Sequence, residues 1–421
     1  MIPSTSGLEN PPSVWRRRAA PAAIAVLFLL YFVQVFSPLR LDRDSADYLS
    51  LAASLAQGQP LEALGLPLGY PVLIAALDRA GVISPFVFVT VNLAGLALGL
   101  VSIWYLFKTR GEQALWIIVF TLLSWTVVRH AVLPLPESLF FGVSLAAVAL
   151  MNAATGVVQV QRRLLLLSLA LLLVVIAMAF RLVGIALLPP FLFACYKSAG
   201  SQFFAAKNGK RLKWVGGSVV FLGGAASIFL LGGQYVHYFG EIVHKLGKFG
   251  GFGTLFDHAE RFMLTLGELA LNFPYGQLHR YPLPFIIAGA ALVVLLAAGA
   301  RGRRPESPSG IYLMSFVLML VVWPYDAPRL WLPVVPLLIG FIAGSLPKVS
   351  GRLWGRMYLA WFAATGLVAI AYTTRITFAG AKFSSVYGRA ARTPPAEQRA
   401  IQIHSDVARR MDAAAGRYGE R

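Results

Sequence analysis

The amino-acid sequence predicts an all-α polytopic membrane protein with about eleven transmembrane helices. Composition is the first reason: 57% of the 421 residues are hydrophobic and only 13% are charged, whereas soluble domains carry about 25% charged residues. The mean hydropathy of +0.68 agrees. Apolar runs of about 20 residues, long enough to cross a bilayer, recur along the chain. A disordered chain is excluded, because such chains are poor in aliphatic and aromatic residues.

Eleven apolar runs are candidate spans, and the first of them follows Arg16–Arg18. No small-residue cleavage site comes after this run, so it is interpreted as a signal anchor rather than a cleaved signal peptide. The predicted spans cover approximately residues 19–38, 86–107, 113–130, 137–155, 164–180, 182–196, 215–232, 282–300, 310–323, 330–347 and 357–372. They divide the chain into an N-terminal segment 1–18, a transmembrane module 19–372 and a tail 373–421.

The net charge of +19 would suggest nucleic acid binding in a soluble protein. Here the charge follows the alternation of the loops. Loops on one side carry 18 Lys and Arg against three acids, and those on the other side carry ten against eleven. Because cytoplasmic loops retain Lys and Arg, the first set is predicted to be cytoplasmic, with the N-terminus inside and the C-terminus outside. The expected location is a bacterial-type cytoplasmic membrane, with membrane lipids and no nucleic acid as partners.

Three long outer segments follow from this topology: residues 39–85, residues 233–281 and the basic tail 373–421. The first contains the apolar stretch Pro67–Leu77, which is too short to span and is predicted to form a half-buried juxtamembrane helix. Apolar residues at helical spacing between 396 and 414 predict a short amphipathic helix in the tail. The segment 233–281 holds four histidines without the spacing of a zinc site. They are His237, His244, His258 and His279.

Acidic residues avoid the apolar centres of the predicted spans and gather at the outer interface. Three of them, Asp42, Asp44 and Asp47, stand within six residues directly after the first span. If a helix begins near Asp44, then Asp44, Asp47 and Tyr48 share one face of it. The helix dipole favours a carboxylate at a helix start, so a plain cap is the alternative interpretation of Asp44.

This region resembles the first outer loop of GT-C glycosyltransferases, especially the branch of the lipid A aminoarabinose transferases and protein O-mannosyltransferases. The resemblance rests first on Asp44-Ser45-Ala46-Asp47-Tyr48, on the following segment ending at Gly58, and on Pro67-Leu68-Gly69-Tyr70-Pro71. Later segments are similar in the same order. They are Leu133–Leu139 with Glu137, Phe180–Gly184 with Arg181, and Pro324–Pro336 with Asp326 and Arg329. The sequence departs from the family pattern at Ser45, where Glu is common.

The resemblance implies an enzyme that moves a sugar from a polyprenyl-phosphate-linked donor to an acceptor hydroxyl at the outer face of the membrane. Such a transfer needs a base for the hydroxyl and a cation for the leaving phosphate. By its match to the family position, Asp44 is the expected base, and Asp47 would orient the acceptor or help to hold a metal. Arg329 is expected to bind the phosphate through its planar guanidinium, with Arg181 and Arg129 as alternatives.

Other residues complete the expected site. Glu137 is predicted to orient the substrate or to cap the helix that starts at Pro136, while Tyr70 and Asp326 are expected to bind substrate. Asp42 and Asp44 form a D-x-D that could hold Mg²⁺ or Mn²⁺, although Ser45 in place of Glu weakens that expectation. The acceptor is left open as a lipid, a glycan or a protein.

Two other functions stay open on the sequence. A non-catalytic transporter or lipid flippase usually needs ionisable groups along a polar pathway, and the spans lack acids. A GT-C-like ligase or polymerase of a surface polysaccharide is the other alternative. More than about 15 Å between the acids of 42–47 and Arg329 would favour the transporter, since one phosphosugar head group could not touch both.

Overall fold

A computed structural model of the chain describes residues 14–59, 66–200, 251–278, 280–300, 306–323, 328–349 and 351–379, with isolated positions 236, 240, 243, 244, 247, 413, 416 and 417. This described part is helical and contains no strand. Its α-helices are, in chain order, α1 Val14–Val33, α2 Arg43–Gln57, α3 Gly69–Arg79, α4 Pro85–Phe107, α5 Glu112–Leu122, α6 Trp125–His130, α7 Glu137–Gly156, α8 Val160–Phe180, α9 Leu188–Gly200, α10 Gly251–Leu271, α11 Pro282–Ala300, α12 Pro308–Val322, α13 Val335–Val349 and α14 Gly351–Ala379.

Five stretches of the described chain are long and apolar enough to cross a membrane, which makes the protein an integral membrane protein. They are Arg18–Phe36, Pro85–Arg110, Glu137–Gly156, Val160–Phe180 and Leu353–Ala379. Five shorter apolar helices accompany them. The predicted all-helical membrane class is thereby confirmed. The predicted span 215–232 and most of the predicted tail helix lie outside the described residues.

Two regions differ from the sequence prediction. The run 113–130, predicted as one span, forms two helices, α5 and α6, because the chain breaks after Leu123. Asn272 stabilises this break: its amide donates to the carbonyl of Leu123 at 3.0 Å, and its Oδ1 accepts from the amide of Trp125 at 2.8 Å. The segment 233–281, predicted as an outer loop, contains the 21-residue amphipathic helix α10.

The helices α2 and α3 pack against each other as a hairpin between α1 and α4. The predicted short helix Pro67–Leu77 is observed as α3. The end of α2 is Gly58, whose φ of 68° is a left-handed conformation that glycine adopts without strain. Arg79, at the end of α3, donates to the carbonyl of Leu55 at 2.7 Å and so satisfies the last turn of α2.

The helices α4 and α7 approach each other closely through glycines. A Cβ atom on Gly95 would lie 2.5 Å from the carbonyl oxygen of Ser138, and one on Gly142 would lie 2.2 Å from the carbonyl oxygen of Gly95. Larger residues would push α7 away. The buried Asn92 of α4 donates to the carbonyl of Leu133 at 2.6 Å. This contact holds the turn that leads into α7 and thereby positions its first residues.

Candidate active site: a carboxylate–arginine cluster

Asp44 lies in the first turn of α2, but it does not cap this helix. The N-cap is Asp42, whose Oδ1 accepts from the amide of Ser45 at 2.8 Å and from its hydroxyl at 2.9 Å. The alternative interpretation of Asp44 as a plain cap is therefore wrong. Because Asp42 satisfies the helix start, the carboxylate of Asp44 is available to another element.

That element is the short 3₁₀ turn Pro328–Val334 between α12 and α13, which carries Arg329. Nη2 of Arg329 donates to Oδ2 of Asp44. On its other side, Nε of Arg329 lies 3.5 Å from Oε1 of Glu137. The same oxygen of Glu137 accepts from Nη2 of Arg181. Asp44, Arg329, Glu137 and Arg181 thus form a continuous row of ion pairs, hereafter the carboxylate–arginine cluster.

Three members of the cluster lie at or beside the ends of different helices, and Arg329 lies in the 3₁₀ turn. Glu137 is in the first turn of α7, where the helix dipole favours a carboxylate. Arg181 directly follows α8 in an extended conformation with φ −148° and ψ 128°. Its carbonyl accepts from the amide of Gly184 at 2.8 Å, and a Cβ on Gly184 would lie 2.9 Å from the amide of Met178. The tight turn after α8 therefore requires a small residue and aims Arg181 at Glu137.

Burial divides the cluster into an inner and an outer pair. The side chain of Glu137 is 2% exposed and that of Arg181 is 11% exposed, whereas Arg329 and Asp44 are 23% and 28% exposed. A buried carboxylate is stable only with cationic partners, and two guanidinium groups supply them for Glu137. A ligand arriving from solvent therefore meets Asp44 and Arg329 first.

The cluster leaves three buried polar atoms without a hydrogen-bond partner within the described part of the chain. They are Nε of Arg181, Nε of Arg329 and Oε2 of Glu137. Unsatisfied buried donors cost free energy, and two of these three atoms are guanidinium donors. An anionic group with several oxygen atoms, such as a phosphate, matches such a pair of donors.

Two tyrosines form one wall of the cluster. The rings of Tyr48 on α2 and Tyr70 on α3 meet edge to face with their centroids 5.6 Å apart. The guanidinium carbon of Arg181 lies 5.9 Å from the centre of the Tyr48 ring. Burial, and secondarily the neighbouring Tyr48, raises the pKa of Tyr70 above its usual range, so Tyr70 stays a neutral hydrogen-bond donor.

The remaining expected site residues lie beside the cluster or outside the described residues. Asp47 is half-buried, one turn along α2 from Asp44. Arg129 is exposed, with its guanidinium 5.7 Å from the centre of the Trp125 ring, and no ion pair joins it to the cluster in the described structure. Asp326 lies outside the described residues.

The described residues do not fit a metal site of the expected D-x-D type. Oδ1 of Asp42 is occupied by Ser45, and Asp44 is paired with Arg329. No group of three or more His, Cys, Asp or Glu side chains in the described ranges could hold a metal ion. His258 binds the carbonyl of Val321 at 2.7 Å and His244 is exposed. His237 and His279 lie outside the described residues.

Two buried ionisable residues are missed by the sequence patterns. His130, at the end of α6, is within electrostatic range of Arg181 and Arg329, and its Nδ1 lies 2.7 Å from the carbonyl oxygen of Thr126. Glu268, near the end of α10, accepts from the amide of Tyr275 and thereby holds the turn after this helix. Neither residue stands in a recognisable motif, so only its tertiary neighbours reveal it.

Replacing Glu268 with Gln should remove part of the pH dependence of stability. Burial raises the pKa of Glu268 from 4.5 to about 7, against the opposing effect of the Tyr275 and Gly276 amides and of Arg129. The folded protein therefore holds this proton more tightly than the unfolded chain, and stability falls as the pH rises from 4.5 to about 7. We expect the Glu268→Gln protein to lack this decline, which is on the order of 3 kcal/mol.

Thermal unfolding of the detergent-solubilised protein between about pH 5 and 8 measures this effect. The matched control is Glu260→Gln, which changes an exposed carboxylate on the same helix and should keep the wild-type pH profile. Equal pH profiles for wild type and Glu268→Gln would contradict the prediction.

No protein-family model matches the chain, and no curated protein matches it. Solved structures do match. One is the crystal structure of ArnT from Cupriavidus metallidurans bound to undecaprenyl phosphate, with 17% identity and a TM-score of 0.49 over 89% of this chain and 66% of that chain. Another is the apo state of the same protein, with 17% identity and a TM-score of 0.48 over 94% of this chain and 73% of that chain.

ArnT is an aminoarabinose transferase of the GT-C superfamily. The chain spans about two thirds of the length of this protein.

Proposed function

We propose that the protein is an integral-membrane glycosyltransferase that moves a sugar from a polyprenyl-phosphate-linked donor to an acceptor hydroxyl. The observation that carries the proposal is the direct contact between Asp44 and Arg329. It brings a candidate base and a candidate phosphate ligand side by side. More than about 15 Å between these two side chains would favour a transporter, because one phosphosugar head group could not touch both. Asp44 and Arg329 are instead in direct contact.

Arg329 is proposed to bind the phosphate of the donor. Its guanidinium offers a planar pair of donors, its Nε has no hydrogen-bond partner among the described residues, and its side chain is accessible. An incoming phosphate competes with Asp44 for Arg329. Phosphate binding therefore releases the carboxylate of Asp44 at the moment when the reaction needs a base.

Asp44 is proposed to accept the proton of the acceptor hydroxyl. The oxygen of this hydroxyl then forms a bond to the anomeric carbon of the sugar, while the bond from that carbon to the phosphate oxygen breaks. The negative charge that develops on the departing phosphate is stabilised by Arg329 and Arg181. Glu137 stays buried between the two arginines and keeps both in position.

Other predicted residues are proposed to border the substrates. Asp47, one turn after Asp44, would orient the acceptor hydroxyl, and Tyr70 would donate a hydrogen bond. Arg129 and Asp326 are kept as candidates for contacts with the head group. The acceptor is a lipid, a glycan or a protein. A GT-C-like ligase or polymerase would use the same contact between Asp44 and Arg329 and would differ in its acceptor.

The proposal includes a membrane topology. Eleven spans would place the N-terminus in the cytoplasm and the tail outside, with the cluster at the outer face of the cytoplasmic membrane. The excess of Lys and Arg in alternate loops supports this orientation. The lipid tail of the donor would stay in the bilayer while its head group reaches the cluster.

The direct test is incubation of the purified protein with polyprenyl-phosphate-linked sugars and measurement of the free polyprenyl phosphate that is released. A glycosyltransferase releases polyprenyl phosphate in proportion to the sugar transferred. A flippase moves the intact lipid between leaflets and releases none. Movement of the lipid without release would overturn the proposal.

Replacing Arg329 with Lys should weaken the binding of undecaprenyl phosphate by about tenfold, because Lys keeps the charge but loses the bidentate fork. Binding to the detergent-solubilised protein measures the effect. The matched control is Arg261→Lys, which changes an exposed arginine paired only with Asp257 on its own helix in the described contacts. Equal affinities of the wild type and Arg329→Lys would exclude Arg329 as the phosphate ligand.

A further inference from the structure

An apolar cavity of about 530 Å³ lies away from the cluster, between α5, α11, α13 and α14. Gln113 and Arg356, near the starts of α5 and α14, border one end of it, and Ser124, just after α5, borders the other. Arg356 is the one cation that lines the cavity among the residues that the structure describes. The chemistry of this cavity is therefore an apolar interior with a positive charge at one end.

The end with Arg356 lies on the side of the membrane opposite the cluster. Arg356 and Thr373 both lie on α14, and at about 1.5 Å per residue they are about 26 Å apart along the helix axis. The carbonyl of Thr373 accepts from Arg40 at 2.9 Å, and Arg40 stands just before α2, which carries Asp44. A distance of about 26 Å is close to the thickness of the hydrocarbon core, about 30 Å.

Among the described residues, Arg356 has no partner that would explain its place. It is exposed, and no hydrogen bond or ion pair of its guanidinium is found within the described residues. Arg110, a cation between α4 and α5, instead donates to the carbonyl of Gly340 at 2.8 Å. Arg356 is thus a cation at the mouth of an apolar cavity with its hydrogen-bond donors open to a ligand.

We propose that the cavity binds one acyl chain of an anionic phospholipid from the leaflet opposite the cluster, with the phosphate of this lipid at Arg356. With a volume of about 530 Å³ and an apolar lining, the cavity is large enough to take an acyl chain.

The position of the charge argues against the polyprenyl donor as the occupant of the cavity. A donor whose phosphate lies at Arg329 is unable to place that phosphate at Arg356 on the far side of the membrane. The lipid site is therefore separate from the proposed transfer reaction.

The test uses the full-length protein in nanodiscs of phosphatidylglycerol or phosphatidylcholine, followed by native mass spectrometry of the lipid that stays bound. We expect the wild type to retain phosphatidylglycerol, and Arg356→Leu to retain it about tenfold less. Ala343→Trp, which fills the cavity near Arg356, should lose bound lipid of both kinds. The matched control is Arg162→Leu, which removes an exposed cation at the start of α8. Arg162 lies about 28 Å of helix before Arg181, so it is on the same side of the membrane as Arg356.

Equal retention of phosphatidylglycerol by Arg356→Leu, Arg162→Leu and wild type would overturn the proposal. So would bound polyprenyl phosphate that is lost in the Arg356→Leu variant, since the occupant would then be the donor. Thermal unfolding verifies that each variant is folded. Because the readout is bound lipid, a failure of the glycosyltransferase proposal would leave this result unaffected.

Discussion

Replacing Asp44 with Asn is expected to lower the rate of sugar transfer by about 10²–10⁴-fold, the usual contribution of a general base. The amide has nearly the shape of the carboxylate and its oxygen can still accept from Arg329, but it cannot take the proton of the acceptor. Asp44 is partly exposed and does not cap α2, so the variant should fold and insert normally. The initial rate of polyprenyl phosphate release measures the effect.

The matched control for this variant is Asp42→Asn. Asn caps a helix about as well as Asp, so this change should preserve both α2 and the activity. It alters the charge only two residues from Asp44 and thus reports any general effect of a lost carboxylate in this turn. Full activity in Asp44→Asn, or an equal loss in both variants, would show that Asp44 is not the base.

Replacing Glu137 with Leu is expected to lower the free energy of unfolding by about 3–5 kcal/mol. The side chain is 2% exposed and lies between Arg181 and Arg329. Without its carboxylate, the two guanidinium groups face each other with no buried counter-ion. Unfolding of the detergent-solubilised variant, by heat or by denaturant, measures the loss.

A surface carboxylate provides the control for Glu137. Asp257→Leu removes the acid of an exposed pair, in which Asp257 is 60% and Arg261 is 63% exposed, and should change stability by no more than about 1 kcal/mol. The double variant Glu137→Leu/Arg181→Leu should recover part of the loss, because it removes one unpaired cation together with the acid. A loss in Glu137→Leu no larger than in Asp257→Leu would contradict the assignment of a buried counter-ion.

The four residues of the cluster are recognisable in the sequence, while their contact is not. Each stands at a boundary between an apolar run and a polar segment, where the resemblance to GT-C motifs also selects it. Asp44 and Arg329 are 285 positions apart, and Glu137 and Arg181 are 44 apart. Such pairs depend on how the helices pack, and a local pattern contains no information on that packing.

Two regions of the structure differ from what the sequence pattern predicts. The run 113–130 is apolar throughout, so hydropathy alone indicates a single helix, yet the buried side chain of Asn272 provides the hydrogen bonds that let the chain break after Leu123. The helix α10 lies within the segment predicted as a long outer loop, where its amphipathic pattern is not singled out. The break after Leu123 thus depends on a side chain about 150 positions away in the sequence.

The sequence by itself determined the membrane class, the positions of most apolar helices and the residues at their ends. It could do so because the bilayer acts on each segment separately, by requiring a minimum apolar length and by excluding charge from the interior. Only the tertiary structure decided that Asp42 caps α2 while Asp44 pairs with Arg329, that Glu137 is buried between two arginines, and that Arg356 stands at the mouth of a cavity. These features arise where several helices meet, because close packing and the pairing of buried charges depend on all the neighbours at once.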